Sequence, residues 1–281
     1  MSIIIVTFNS RPALDNSLAC LKHGLDGIDY ELITVDNNST DGSCECAREY
    51  FPAAKIIELS RNEGFASACN QGAWIAEGRY LLFHNPDVCL DRDAVDRLID
   101  VFRDRERVGA VSGRMRYPDG SFQATCRNFP TVTNLLFSRG SVLSLLYDRG
   151  GRYTLPDYDE TTEVPSVAGT LMMIERDVFV AMNGFDERFF MYMEDTDLCM
   201  RLHRRGYTNF FAPGAGGIHS WGTGSRAGKV KRLWYHHVSL WKYFVKYFPK
   251  PVSLIILPVI LIVNFLLAAV LPRPSEKRLG S

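Results

Sequence analysis

Apolar residues in the first ninety positions fall into short unbroken runs, separated by stretches with a three- to four-residue rhythm. Ser2–Val6 is the first run and ends in a polar loop, after which Ala13 to Leu25 has helical spacing. Glu31–Val35 is the second run and ends at Asp36. Lys55–Leu59 is the third and is followed by a helical stretch from Ala66 to Ala76. Tyr80–Phe83 is the fourth and ends at Asn85, Pro86 and Asp87. Continuous apolar strands alternating with helices predict an α/β domain, a mostly parallel sheet covered by helices on both faces. Ligands of such sheets bind beyond the carboxyl ends of the strands. The pattern puts Thr7, Asn9, Asp36, Asn38, Asn85 and Asp87 there.

The rhythm changes near the end of the chain. From Asp195 the spacing is helical, with Leu198 and Leu202 one turn apart, Arg201, Arg204 and Arg205 near the end and Gly206 as the C-cap. Between Lys229 and Lys250, Trp234, Val238, Trp241, Val245 and Phe248 recur at three- and four-residue steps. Lys231, Arg232, Lys242, Lys246 and Lys250 border that face. Val252 to Leu271 then forms twenty residues without a charge, long enough to cross a hydrocarbon core as a helix. Pro258 and Asn264 interrupt the run, so a re-entrant or surface-lying hairpin and a buried core helix are the alternatives. The expected organisation is one domain over 1–225 and a basic, aromatic, membrane-associating segment over 226–281.

Charge sharpens this division. The 281 residues have zero net charge, yet 1–197 carry 19 basic against 31 acidic residues and 198–281 carry 13 against 1. No acid lies between Leu198 and Ser275. A basic end meets something anionic, and aromatic residues beside an uncharged twenty-residue run favour membrane lipids over nucleic acid. Arg273, Lys277 and Arg278 follow the run, so the distribution of basic residues orients it only weakly. No charged, cleavable signal precedes Ser2, which places the body in the cytosol as an expectation. Seven Cys without paired spacing read as free thiols in a reducing compartment, since Cys44 and Cys46 stand too close for a zinc knuckle or redox motif. There is no internal repeat, dinucleotide glycine pattern or P-loop.

Four stretches can carry chemistry. Asp36 ends a strand, where its carboxylate can accept the imino N–H of a pyrimidine base; the residues after it, to Ser43, read equally as a turn and helix cap. Asn85 and Asp87 flank Pro86 at another strand end, where an acid can hold a divalent cation bridging two phosphates, although such a sequence is also an ordinary turn. Glu194, Asp195 and Asp197 crowd a first helical turn. The helix dipole stabilises acids there and keeps a carboxylate ionised, as a general base requires. Finally, His219 follows Gly214, Gly216 and Gly217, which let backbone approach a ligand.

In this order the stretches resemble glycosyltransferase family 2, the inverting GT-A-fold enzymes that use nucleotide sugars, over roughly residues 2–225. The likeness rests on Ile4–Asn9, Val35–Gly42, Asn62–Gly72, Asn85–Asp87, Val167–Thr170, Gly184–Glu187, Glu194–Leu198 and His219. It is greatest to the bacterial rhamnosyltransferase-like branch, which builds surface polysaccharides and cell-wall linkers on polyprenyl-diphosphate carriers. The resemblance implies that Thr7, Asn9, Asp36, Asn62 and Gly64 contact a dTDP- or UDP-sugar. It implies that Asn85 and Asp87 occupy the Asp-x-Asp metal motif, with His219 as a second ligand of Mg²⁺ or Mn²⁺. Asp195 takes the place of the catalytic base, with Glu194 and Asp197 on the acceptor side or behind it. Asn85 departs from the family's first Asp, and as a neutral ligand it weakens cation binding. The implied acceptor is a lipid-linked saccharide, and the implied location is the cytoplasmic face of the inner membrane. A polyprenyl-phosphate sugar synthase, a non-catalytic nucleotide-sugar-binding membrane protein and a nucleotidyltransferase are the rival readings; the last lacks its glycine-rich triphosphate loop.

Overall fold

The computed structural model describes residues 1–25, 27–131, 153–220, 222 and 228–270. The chain divides into two compact units. One comprises 1–129, 154–190 and 194–226, the other 130–153, 191–193 and 227–281.

The first unit is built on a ten-stranded sheet in the order β3-β2-β1-β4-β11-β6-β12-β5, with β7 beside β6 and β9 beside β12. Its opening half follows the apolar runs. Strands β1 (Ser2–Thr7), β2 (Glu31–Asp36), β3 (Lys55–Glu58) and β4 (Tyr80–His84) are parallel, joined by helices α1 (Arg11–Gly24), α2 (Ser43–Tyr50) and α3 (Phe65–Trp74). Pro12 in the first turn of α1 needs no N–H there. Side chains alternate across β1: Ile3 and Ile5 pack with Leu14, Leu18 and Leu21 of α1, while Ile4 and Val6 face Ala66, Ala68 and Ala73 of α3. A Cβ on Gly72 would lie 2.8 Å from Ile4 Cγ2, so the small residues of α3 let it lie close on the sheet.

The second half departs from the expected parallel arrangement. It adds β5 (Val88–Leu90), α4 (Ala94–Asp104), β6 (Val108–Arg116), β7 (Phe122–Gln123), β8 (Cys126–Arg127), β9 (Thr162–Val164), β10 (Ser166–Val167), β11 (Leu171–Glu175), α5 (Arg176–Ala181), α6 (Glu194–Arg204) and β12 (Thr208–His219). Strand β11 runs antiparallel to both β4 and β6, and β12 is parallel to β6 but antiparallel to β5 and β9. The sheet is therefore mixed. An apolar run reports burial on both faces and is silent about strand direction. Gly206, with φ of 77°, stands just past α6 in the left-handed conformation of a C-cap.

The expectation of free thiols fails for two cysteines. Cys20 of α1 and Cys89 of β5 form a disulfide, while Cys44, Cys46, Cys69, Cys126 and Cys199 are free and buried. The partners are 69 positions apart, so local spacing gives no sign of them.

In the second unit, α7 (Lys229–Tyr247) is followed by a π-helical turn (Val252–Ile256) and α8 (Leu257–Val270). The uncharged run is thus divided between two helical forms. No helix among the described residues is long and apolar enough to cross a membrane.

Candidate active site

The parallel register sets Thr7 of β1 beside Asp36 of β2. Thr7 Oγ1 donates to Asp36 Oδ1 at 2.7 Å, and the Ser39 backbone N–H donates to Oδ2 at 2.7 Å. Both oxygens of this buried carboxylate are thereby aimed, and each keeps a lone pair for a further donor. Asn9, with φ of 53°, is latched to the next loop: its N–H donates to Ser39 Oγ, and its Oδ1 accepts the Thr40 N–H, both at 2.8 Å. Asn62 Oδ1 accepts the Gly64 N–H at 3.0 Å. Asn37, read from sequence only as part of a turn, joins the two loops. Its Nδ2 donates to the Gly64 carbonyl, and its Oδ1 accepts the Glu63 N–H.

The chain brings a second group together from β4, β7 and β12. His219 pairs opposite Val88 in the sheet, and its Nε2 lies 3.1 Å from Asp87 Oδ1. On the other side of the ring, Nδ1 lies 2.6 Å from Gln123 Oε1. The carboxamide orients the ring through Nδ1 and leaves Nε2 facing the carboxylate, the kind of support found behind metal-ligating histidines. One nitrogen and one carboxylate fit a cation that takes its remaining ligands from phosphate and water. Among the described residues, no cluster of three or more His, Cys, Asp or Glu side chains could hold a metal alone. Asn85 is held through its backbone: its N–H donates to the Thr170 carbonyl, and its own carbonyl accepts the Val88 N–H. Beneath lies His84, buried with neither ring nitrogen partnered. Burial pushes its pKa down to about 4, only partly opposed by the Asp87 charge. Neither His84 nor Gln123 was identified from sequence, because each takes its meaning from neighbours distant in the chain.

The third group opens α6. Asp195 Oδ2 accepts the Gly169 N–H at 3.0 Å, and Oδ1 accepts the Thr196 N–H at 2.6 Å. Glu194 is buried with Oε2 unpartnered. Burial, reinforced by the Asp195 charge, raises its pKa well above the ordinary value and so favours its protonated form. Asp197 has no exposed side-chain surface and pairs with Arg201 Nε at 2.8 Å. The Arg201 guanidinium donates to the carbonyls of Met182 and Gly184, so the pair anchors α6 to the preceding loop. Asn70 pins the same loop, exchanging hydrogen bonds with the Phe185 backbone and donating to Glu187.

Two consecutive residues join the second and third groups. Gly169 holds Asp195, and the carbonyl of Thr170 holds Asn85. The acids of α6 and the Asn85–Asp87 turn therefore meet where β11 begins.

A family model described as "Glycosyl transferase family 2" matches residues 2–181. The chain belongs to glycosyl transferase family 2. A second model, "N-terminal domain of galactosyltransferase", matches residues 150–222, which include α6 and His219. Among curated relatives of this family 2 chain, the N-acetylglucosaminyl-diphospho-decaprenol L-rhamnosyltransferase of Mycobacterium tuberculosis is 27% identical over 256 residues, 85% of this chain and 82% of that one. The rhamnosyltransferase WbbL of Escherichia coli K12 is 27% identical over 250 residues, 87% and 92% of the two chains. A mannosyltransferase of Pyrobaculum calidifontis, solved with GDP-Man and Mn²⁺, superimposes with a TM-score of 0.61 at 17% identity over 95% of this chain and 73% of that one. This likeness establishes the GT-A-like fold. The protein is a glycosyltransferase.

Proposed function

We propose that this glycosyltransferase moves a sugar, rhamnose from dTDP-rhamnose, onto a saccharide carried by a polyprenyl diphosphate, with inversion at the anomeric carbon. One observation carries the mechanism: Gly169 and Thr170 hold the candidate base beside the candidate cation turn. The names of the two rhamnosyltransferases, matched over most of both chains, support the sugar, and that of the mycobacterial relative supports the lipid diphosphate.

The donor base lies against Asp36, with Thr7, Asn9, Asn62 and Gly64 shaping the nucleotide site. Asp195 takes the proton from an acceptor hydroxyl as that oxygen attacks the anomeric carbon, and the bond to the nucleoside diphosphate breaks on the opposite face. No sugar is attached to the protein, so configuration inverts. The Gly169 and Thr196 N–H groups hold the Asp195 carboxylate in position before it acts. A divalent cation, Mg²⁺ or Mn²⁺, would be held by Asp87 and His219 with Asn85 beside them, and when bound it offsets charge on the departing diphosphate. Glu194 and Asp197 flank the base, Asp197 as an anchor for α6. The basic, aromatic C-terminal segment keeps the enzyme at the cytoplasmic face of the inner membrane, where its acceptor lies.

The experiment is a panel of dTDP-, UDP- and GDP-sugars, offered with a polyprenyl-diphosphate saccharide, with polyprenyl phosphate, and with neither. Release of dTDP from dTDP-rhamnose only with the lipid-linked saccharide is the expected result. Transfer to polyprenyl phosphate itself would replace the proposal with a polyprenyl-phosphate sugar synthase.

A further inference from the structure

The second unit carries an organised surface that the donor and base residues do not use. Its two helices fold back on each other. The rings of Trp234 and Phe265 meet edge to face with centroids 5.6 Å apart. Asn264 Nδ2 donates to His237 Nε2 at 3.0 Å, and His237 Nδ1 donates to the Leu233 carbonyl at 2.8 Å. Position 234 meets 265 and 237 meets 264, so α7 and α8 are antiparallel. Asn264 is the one strongly polar side chain in α8, and it is satisfied by the partner helix.

The outward side of the turn and α8 is aliphatic. Ile255, Val259, Ile262 and Leu266 recur at four-, three- and four-residue steps and are 68%, 59%, 54% and 57% exposed. That is one helical stripe facing water. On α7, Trp234 and Trp241 are also exposed. The sequence from 228 to 270 contains six basic residues and no acidic one. A patch of this kind marks an interaction site.

We propose that the α7–α8 hairpin lies in the plane of one leaflet of an anionic lipid bilayer, its aliphatic stripe among the acyl chains and its lysines at the phosphates. Form favours lying over spanning, because a π-helical turn breaks the uncharged run ahead of the fourteen-residue α8, and no helix among the described residues is long and apolar enough to cross a membrane. Charge favours lipid over the alternatives. A second copy would bring two acid-free basic hairpins together. A nucleic acid would meet the lysines but leave the aliphatic stripe in water. An anionic leaflet satisfies both features. The inference rests on the lipid-linked-acceptor reading for its purpose, but membrane binding is measurable without it.

The test uses the full chain with vesicles of phosphatidylcholine alone or mixed with phosphatidylglycerol. At least tenfold more protein should sediment with the anionic vesicles. Tryptophan emission should shift to the blue and be quenched more by bromine near the headgroup end of the acyl chains than by bromine at the bilayer centre. Trp234→Phe combined with Trp241→Phe should remove the quenched component. Ile255→Ser, Val259→Ser and Ile262→Ser together should lower binding at least tenfold to both vesicles. Lys242→Gln, Lys246→Gln and Lys250→Gln together should abolish only the anionic preference. Turnover with a water-soluble acceptor analogue should be unchanged in both triple variants, which separates failure of this surface from failure of the catalytic reading. The quenching experiment on the unaltered protein decides the matter even if a triple variant does not fold. Absence of vesicle binding overturns the proposal, as does binding without quenching that salt fully reverses. Strongest quenching at the bilayer centre would indicate a span. A dimer that forms without lipid and disappears in the serine variant would assign the surface to a second copy.

Discussion

The Asp195 carboxylate accepts the backbone N–H of Gly169 at 3.0 Å, which fastens the first turn of α6 to the entrance of β11. The next residue, Thr170, holds the Asn85 N–H. Two parts of the chain 110 positions apart in number are therefore positioned by one dipeptide. Displacement of that dipeptide would move the candidate base and the candidate cation turn together.

Asp195→Asn keeps the shape of the side chain and one of its two acceptor oxygens but removes its basicity. Turnover should fall about 10²- to 10⁴-fold, the usual weight of a general base, while donor affinity stays near wild type. Calorimetry of donor binding and single-turnover transfer on one preparation check this. Near-normal transfer by Asp195→Asn beside an inactive Glu194→Gln would move the role to Glu194.

The Asp87–His219 pair predicts a cation requirement. Activity should disappear with chelator and return with Mg²⁺ or Mn²⁺, and Asp87→Ala should be more damaging than Asn85→Ala. Gln123→Leu removes the acceptor for His219 Nδ1 and should weaken Mn²⁺ binding by about 10- to 100-fold, the range for loss of a partner behind a metal-binding histidine. Electron paramagnetic resonance of Mn²⁺ with a nucleoside diphosphate reads this independently of turnover. Full activity in excess chelator would refute the assignment.

Glu194 predicts a pH-dependent stability. Burial holds its proton more tightly in the folded than in the unfolded chain. Its contribution is therefore fully present below the unfolded value, near 4.5, and is lost as pH rises through the raised folded value. Glu194→Gln has no proton to lose. Its Tm should gain on wild type progressively as pH is raised from acid to mildly alkaline. Parallel Tm profiles for the two proteins would contradict this.

Gly64 has a φ of 91°, and a Cβ there would overlap the Phe190 carbonyl oxygen, which already accepts the Phe65 N–H. Gly64→Ala should cost about 1–3 kcal/mol from the backbone conformation alone, with the overlap added to it. The loop carrying Asn62 should shift as well, so donor affinity should fall with thermal stability. Denaturant unfolding and donor titration of the variant measure both effects.

The first four strands were legible because each is a short apolar run, buried throughout in β1 and β4 and half-buried at the edge strand β3, and the helix from Glu194 because its caps are local. The short strands β7 to β10 have two or three residues each and no periodicity to read. Thr7, Asp36 and Asp87 stood out as polar residues closing apolar strands. Asn37, Asn70 and Gln123 did not. Each is an amide whose role is a hydrogen bond to a residue at least 26 positions away, and nothing beside it in the sequence reports that partner. The Cys20–Cys89 bridge escaped for the same reason.

The seam between β4 and β11 bears on how such enzymes diversify. All five candidate nucleotide contacts fall between residues 7 and 64, on the parallel side of that seam, whereas Asp195 and the residues that hold it follow position 168. Five backbone pairs, from Leu171 with His84 to Glu175 with Tyr80, join the two sides. Such pairing depends on backbone geometry more than on side-chain identity. A single recombination between relatives in the stretch after β4 would exchange one recognition function and inherit the other intact. New pairings of donor and acceptor can thus arise in one genetic event, without the two specificities having to evolve together.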